Sequence, residues 1–317
     1  MITLNGHTLS LKDVWQVASQ KSPCALAAEA RPLIRRSREL VESLAAQPRA
    51  IYGINTGFGP LSGFRITARE LGQHQLNLLH HLSVGQGPLF SVVETRAIMA
   101  ARANALARGY SGLREELIEL LLAALNRGLL PEIPTEGSLG ASGDLVPLAH
   151  MTNLLVGLGH ARLDGERLPA MDALRKAGLK PAVLQCKEGL AMVNGTSVMT
   201  GLAALAAHEA ERLLHWMELL TACLFQALGA SRRCCANKRK KRVVFAANPR
   251  WPGASAITCG RIRILRGESR SINGALNRRQ LIPERRFRIL IRCDVPHRFW
   301  ARFKKRCGTS NRWSRAN

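Results

Sequence analysis

"GSLGASGDLVPLAHM" (137–151) is the stretch on which the reading of the whole chain turns. Ala141, Ser142 and Gly143 stand between further glycines and run into Asp144 and an apolar segment containing a proline. Three small residues remove side-chain bulk, and Gly143 permits backbone angles closed to other residues. Such a loop can bend until the Gly143 nitrogen meets the Ala141 carbonyl carbon. Cyclisation and loss of water from Ser142 would leave an exocyclic methylidene on a conjugated ring, an electrophile that no ordinary side chain supplies. The plainer alternative is a glycine-rich helix start, with Asp144 placed where its charge suits the helix dipole.

Around this loop the text reads as helical. "AIMAARANALARGYSGLREELIELLLAALNRGLLPEIP" (97–134) has apolar residues at helical spacing, a Gly-Tyr-Ser-Gly break, and a second helix ended by Gly128 and Pro131. "DLVPLAHMTNLLVGLGHA" (144–161) and "SVMTGLAALAAHEAERLLHWMELLTACLFQAL" (197–228) predict further long helices, apolar enough to be buried inside a bundle. Extended signals are few. "MITLNGHTLS" (1–10) is a candidate short hairpin, and "ARLDGERLPA" (161–170) another with Asp-Gly as its turn. The fold class expected is mainly α, a long-helix bundle with a small α+β part at the N-terminus.

The net charge of +24 is unevenly placed. Residues 1–230 hold 21 Lys and Arg against 19 Asp and Glu, whereas residues 231–317 hold 25 against 3. Cysteine divides in the same way, with Cys24, Cys186 and Cys223 early and Cys234, Cys235, Cys259, Cys293 and Cys307 in the last segment. None of these spacings forms a paired Cys-x-x-Cys zinc pattern, so no metal is expected. No apolar run reaches the roughly 18 residues of a membrane span, and "MITLNGHTLSLKD" lacks the charged start and apolar stretch of a secretory signal. The expected location is the cytoplasm.

Four segments occur in order: "YGINTGFGPLS" (52–62), "NLLHHLSVGQGP" (77–88), "GSLGASGDLVPLAHM" and "KEGLAMVNGTSVMTG" (187–201). Together they resemble the aromatic amino acid ammonia-lyases, which include the histidine, phenylalanine and tyrosine lyases. The resemblance runs from about residue 2 to 229 and implies an ammonia-lyase bundle. It implies that Ala141, Ser142 and Gly143 form a methylidene-imidazolone group autocatalytically, with no external cofactor. It further implies an amino acid substrate and a homotetramer in the intact enzyme.

Ammonia elimination needs removal of a barely acidic β-proton and a means of making the amine leave. By the resemblance, Tyr52 takes the acid/base work, with Gly57 and Gly59 shaping its loop. Asn194 contacts the prosthetic group and the substrate carboxylate. An Asn-Gly pair is otherwise a turn signal, and Thr196 or Ser197 is a candidate N-cap for the helix that follows. His81-Leu82 matches the family's aryl-binding pair and resembles the tyrosine lyases, whereas histidine lyases tend to Ser-His there. A His nitrogen can bond a para-hydroxyl, so tyrosine to 4-coumarate is the first expectation and histidine to urocanate the alternative.

Beyond residue 230 neither helical nor strand periodicity persists, and native structure is not expected there. The family pattern calls for a Tyr-Ser-x-Arg-Cys-x-Pro-Gln segment whose Tyr and Arg complete a neighbouring subunit's site. This chain instead has "RILIRCDVPHRFWARF" (288–303), and its two tyrosines are Tyr52 and Tyr110. Taking each codon's third base as the first of the next codon, Leu290 to Phe303 can be read as "YSLRCPPQVLGPV". Phe299-Trp300 then forces Leu, and Trp300-Ala301 forces Gly. A shift of reading frame near residues 229–242 is therefore expected, leaving 1–229 as the lyase region and 230–317 as an out-of-frame tail. A genuine basic tail binding nucleic acid, with "KRKKR" (238–242) as its densest patch, is the competing reading.

Overall fold

The computed structural model describes residues 1–139 and 142–227. Residues Met1–Leu213 form one compact unit, and a second unit begins at Leu214. The expectations for Ala141 and for 230–317 lie outside the described residues.

The fold is mainly α, with small strand pairs at its margins. It begins with β1 (Ile2–Leu4), α1 (Leu11–Ser19) and β2 (Cys24–Leu26). β1 and β2 pair in parallel, Ile2 opposite Cys24 and Leu4 opposite Leu26, so residues 1–10 are not the hairpin expected. The reason is local. Ser10 and Asp13 make a reciprocal capping box, which starts a helix where a returning strand would have to begin. The Asn126 side chain then extends this small sheet, accepting from Cys24 N and donating to Cys24 O, both at 2.8 Å.

α2 (Ala30–Ala45) leads through a loop with a 3-10 turn at Gly59–Leu61 to α3 (Leu71–Leu82), β3 (Gln86–Leu89) and α4 (Val92–Leu106). α4 carries a second capping box, Ser91 with Glu94. Next come α5 (Glu115–Asn126), β4 (Leu130–Pro131), β5 (Pro134–Glu136) and α6 (Leu145–Leu155). The break between α4 and α5 and the stop of α5 fall as the sequence predicts. Gly128 sits at φ +70 just past α5, the left-handed position that favours glycine at a helix end. β6 (His160–Leu163), β7 (Glu166–Pro169), α7 (Ala170–Lys176), α8 (Glu188–Val193) and α9 (Ser197–Ala227) complete the described chain. β6 and β7 form the predicted hairpin, with Asp164 and Gly165 both at positive φ, as a type I′ turn requires.

The core lies where α4 crosses α1 and α5. Ile98, Met99, Ala100 and Ala103 of α4 are fully buried, as are Ile118, Leu121 and Leu125 of α5 and Leu148, Met151 and Leu155 of α6. α6 is buried as expected but stops at Leu155, because Gly157 and Gly159 turn the chain at positive φ. α9 departs from expectation: Trp216, Met217, Leu220 and Leu224 in its later turns are more than half exposed. Nothing among the described residues covers them. No helix of the described chain is long and apolar enough to cross a membrane.

Leu121 is fully buried in the main core, so Leu121→Ala should cost about 2–5 kcal/mol. Urea denaturation of the two proteins measures that difference, and a change within about 0.5 kcal/mol would contradict the core assignment.

Candidate active site

The short helix α8 is the meeting point of the segments singled out in the sequence. Its first residue, Glu188, is fully buried. Both carboxylate oxygens of Glu188 accept from Arg114, Nε at 2.7 Å and Nη2 at 2.8 Å, and Gln185 N donates to it at 2.7 Å. Arg38 stands 3.8 Å away. Such bidentate pairing is what makes a buried carboxylate tolerable. Further along, Leu190 N donates to Gln75 Oε1 of α3 at 3.0 Å. Gly189 passes so close to Gln75 that a Cβ there would lie 2.9 Å from its carbonyl oxygen.

The "YGINTGFGP" loop rests on the same helix. A Cβ on Gly53 would come within 2.7 Å of Leu190 Cδ2, and Cys186 Sγ donates to Ile54 O at 3.0 Å. Tyr52, next to Gly53, is exposed. Its hydroxyl accepts from Gly59 N at 3.5 Å, a contact too long to occupy it. Gly57 has no room for a side chain against Leu61, whereas Gly59 faces open space and holds φ +55. The two glycines therefore shape the loop for different reasons, one by close approach and the other by backbone angle.

At the other end of α8, Asn194 and Gly195 form the turn into α9, and the Ala-Ser-Gly loop meets it there. Gly143 and Gly195 form a parallel bridge, with Asp144 N donating to Gly195 O at 2.7 Å. Gly143 is at φ +80, and a Cβ on it would collide with the Gly195 carbonyl. Asp144, 4% exposed, does not cap the helix it precedes. Its Oδ2 accepts from Val198 N at 2.9 Å and Met199 N at 3.0 Å. The acceptor at the start of α9 is thus Asp144, supplied from another segment, in place of the Thr196 or Ser197 side chain expected from the sequence.

Ser142 and Asn194 are exposed beside this junction, and Ser138 Oγ donates to Gly143 O at 3.3 Å. The two described residues of the triad, Ser142 and Gly143, fit a cyclised group. Gly143 holds the left-handed backbone that a side chain would bar, and Ser142 faces outward. His81 and Leu82 close the last turn of α3, His81 exposed and Leu82 half-buried. The chain beyond them is fixed on the approach to the loop. Ser83 Oγ accepts from Asn153 Nδ2 at 2.8 Å, Gly85 N donates to His150 Nε2 at 3.2 Å, and β3 pairs antiparallel with β5, Gln86 opposite Glu136. The structure thus joins Gly195, next to Asn194, to Gly143 and Asp144 through backbone, and Tyr52 to Gly59. Among the described residues no hydrogen bond links the Tyr52, His81, Ser142 and Asn194 side chains to one another.

One residue the sequence reading passed over is central. Arg102 of α4 is 3% exposed; Nη2 donates to Ala191 O and, at 3.0 Å, to Asn194 O, and Nη1 donates to Ser197 Oγ at 3.4 Å. Burial lowers its pKa to about 10, with Asp144 acting in the opposite direction. The signal was a lone cation inside the apolar run "AIMAARANALA" (97–107), where a buried charge must find partners.

Comparisons with known proteins give the family and the fold. The family described as Aromatic amino acid lyase matches residues 9–243. The histidine ammonia-lyase of Geobacillus thermodenitrificans (strain NG80-2) is 46% identical over 228 residues, covering 72% of this chain and 45% of that protein. The histidine ammonia-lyase of Bacillus subtilis (strain 168) is 43% identical with the same coverage. Among solved structures, histidine ammonia-lyase from Trypanosoma cruzi aligns with TM-score 0.71 at 30% identity, covering 76% of this chain and 47% of that one. Tyrosine aminomutase from Streptomyces globisporus aligns with TM-score 0.67 at 39% identity, covering 71% and 42%. The chain therefore spans under half the length of these relatives.

The Gly85 contact predicts a pH dependence. His150 must be neutral for Nε2 to accept, and burial lowers its pKa below 6.5. On acidification the unfolded chain takes up this proton first. The stability involved is present above about pH 6.5 and is lost as pH falls from there toward the lower folded-state value. Unfolding free energy should be smaller at about pH 5.5 than at about pH 7.5, and His150→Gln should narrow the difference. An unaltered difference in that variant would assign the effect to other groups.

Proposed function

Since the chain belongs to the aromatic amino acid lyase family, we propose that it serves the non-oxidative elimination of ammonia from L-histidine to give urocanate. The observation that carries the substrate is the name borne by its curated relatives at 43–46% identity, histidine ammonia-lyase.

The reaction breaks the substrate's Cα–N and Cβ–H bonds and forms a carbon–carbon double bond. Once formed from Ala141, Ser142 and Gly143, the methylidene-imidazolone supplies the electrophile that makes the amine leave. Tyr52 handles the β-proton; its hydroxyl is exposed and held only by a long contact to Gly59 N. Asn194 offers its amide to the substrate carboxylate from the turn that backs the loop, and His81 with Leu82 contacts the aryl side. The intact enzyme is a homotetramer in this reading. A second reading, L-tyrosine to 4-coumarate, is favoured by His81-Leu82, because an imidazole nitrogen can bond a para-hydroxyl. The likeness to a tyrosine aminomutase is in line with it.

The basic segment 230–317 is, in this proposal, lyase text in a shifted frame, because reading Leu290–Phe303 one step over yields the Tyr-Ser-x-Arg-Cys segment that the family pattern calls for. Resequencing across codons 225–245 tests this directly.

In a frame-restored protein, Ser142→Ala should abolish deamination together with the near-ultraviolet absorbance of the prosthetic group. Full activity in that variant would remove the assignment. Assay of the restored enzyme on histidine, tyrosine and phenylalanine decides the substrate. If tyrosine is preferred, His81→Phe should shift preference toward phenylalanine by about 1–3 kcal/mol, the cost of an unmet polar group.

The 317-residue chain as written should be inactive, because it lacks the Tyr and Arg of the displaced segment. Lyase activity in the unrepaired chain would refute the frameshift.

A further inference from the structure

Arg102 and Asp144 are buried charges of opposite sign, on α4 and at the start of α6, and each meets one side of the Asn194–Thr196 turn. Arg102 donates to Ala191 O and Asn194 O, carbonyls at the closing end of α8. Asp144 accepts the amides of Val198 and Met199 at the opening end of α9. Each charge thus faces the backbone groups of opposite polarity that a helix end leaves unpaired. Between them the turn presents Asn194 to the outside and offers the Gly195 carbonyl to Asp144 N.

Arg102 is held from one side only. Its Nε is buried with no partner, so the guanidinium's strong contacts all run to the α8–α9 junction. Gly195 shows how tightly it sits there, since a Cβ on Gly195 would collide with Arg102 Nη1. Three segments are therefore fixed at one point: α4 by the arginine, the Ala-Ser-Gly loop by Asp144 and Gly143, and the α8–α9 turn by Gly195.

We propose that Arg102 is a positioning residue. Its guanidinium holds the Ala191–Asn194 carbonyls so that the turn keeps Asn194 outward and Gly195 paired with the backbone of the Ser142-Gly143 loop. It does not touch substrate. The inference deepens the proposed function and rests on it in one respect, that the Ser142 loop forms the prosthetic group. The positioning itself is read from the contacts that the Arg102 and Asp144 side chains make with backbone groups.

The test uses the full 317-residue chain, with Arg102→Gln and Arg102→Lys, followed by site-resolved amide hydrogen exchange. In Arg102→Gln the amides of Asp144, Val198 and Met199 should exchange at least about tenfold faster, while those of Ile118 and Leu121 in α5 stay unchanged. Arg102→Lys, which keeps the charge but not the fork, should recover part of the protection. Equal acceleration everywhere would mean a merely structural arginine, and unchanged exchange at the three amides would mean no positioning; either overturns the inference. Should Arg102→Gln fail to fold, Gly195→Ala, which displaces the guanidinium and keeps its charge, must give the same local pattern, and its absence overturns the inference equally. Mass analysis of the peptide containing Ala141–Gly143 is read separately. Cyclisation makes it lighter by two waters, and a wild-type chain without that loss counts against the proposed function, while the exchange pattern still decides the role of Arg102.

Discussion

The backbone contact between Gly143 and Gly195 is the constraint around which the described unit is organised. Asp144 N and Gly195 O lie 2.7 Å apart, so two segments distant in sequence approach until neither can carry a side chain at the crossing. A Cβ on Gly143 would strike the Gly195 carbonyl, and one on Gly195 would strike Arg102. The consequence extends outward. With both side chains absent, the carboxylate of Asp144 can pass under the turn to the amides of α9, and Arg102 can reach over it from α4. Each buried charge loses hydration on folding, and each regains part of that loss from charge-assisted bonds to backbone.

Around this crossing the supporting contacts are also mainly to backbone. Gln75 holds Leu190 N, Cys186 holds Ile54 O, and Glu188 collects Arg114 and the amide of Gln185. Helix α8 has only six residues, too few to be stable alone. Its position is set by these polar contacts at both ends and by the buried Ala191, Met192 and Val193 between them. The main chain is thus held by hydrogen bonds at both ends of α8, while Tyr52, Ser142, His81 and Asn194 are exposed.

Much of this was legible in the sequence, for definite reasons. The break between α4 and α5, the glycine stop of α5 and the Asp-Gly hairpin are signalled by residues acting on their own neighbours. The four glycine-bearing segments were recognisable because glycine at a close approach has few substitutes. What was not legible depends on partners distant in the chain. The parallel pairing of Ile2–Leu4 with Cys24–Leu26 needs α1 between them as a crossover. The cap on α9 comes from Asp144, 53 residues before its first residue Ser197. Arg102 stands as a lone cation in an apolar run, which signals burial, but its partners on α8 and α9 follow only from the packing of α4 through the core.

The same division between main chain and side chain bears on the two substrates weighed in the proposed function. The Ser142-Gly143 loop is held by the left-handed Gly143, its pairing with Gly195, and the two charges beside the turn. None of these groups depends on the aryl part of a substrate. The residues proposed as the aryl-binding pair, His81 and Leu82, lie at the end of α3, and among the described residues the chain after them is tied down by the β3–β5 pairing and the Gly85–His150 contact. Changing them alters an exposed and a half-buried side chain without touching the crossing. Solved relatives named for histidine and for tyrosine, and for lyase and aminomutase chemistry, can accordingly superpose on this chain to a similar degree. Fold similarity therefore speaks for the fold that carries the loop, while in the proposed function the choice of substrate falls to His81 and Leu82.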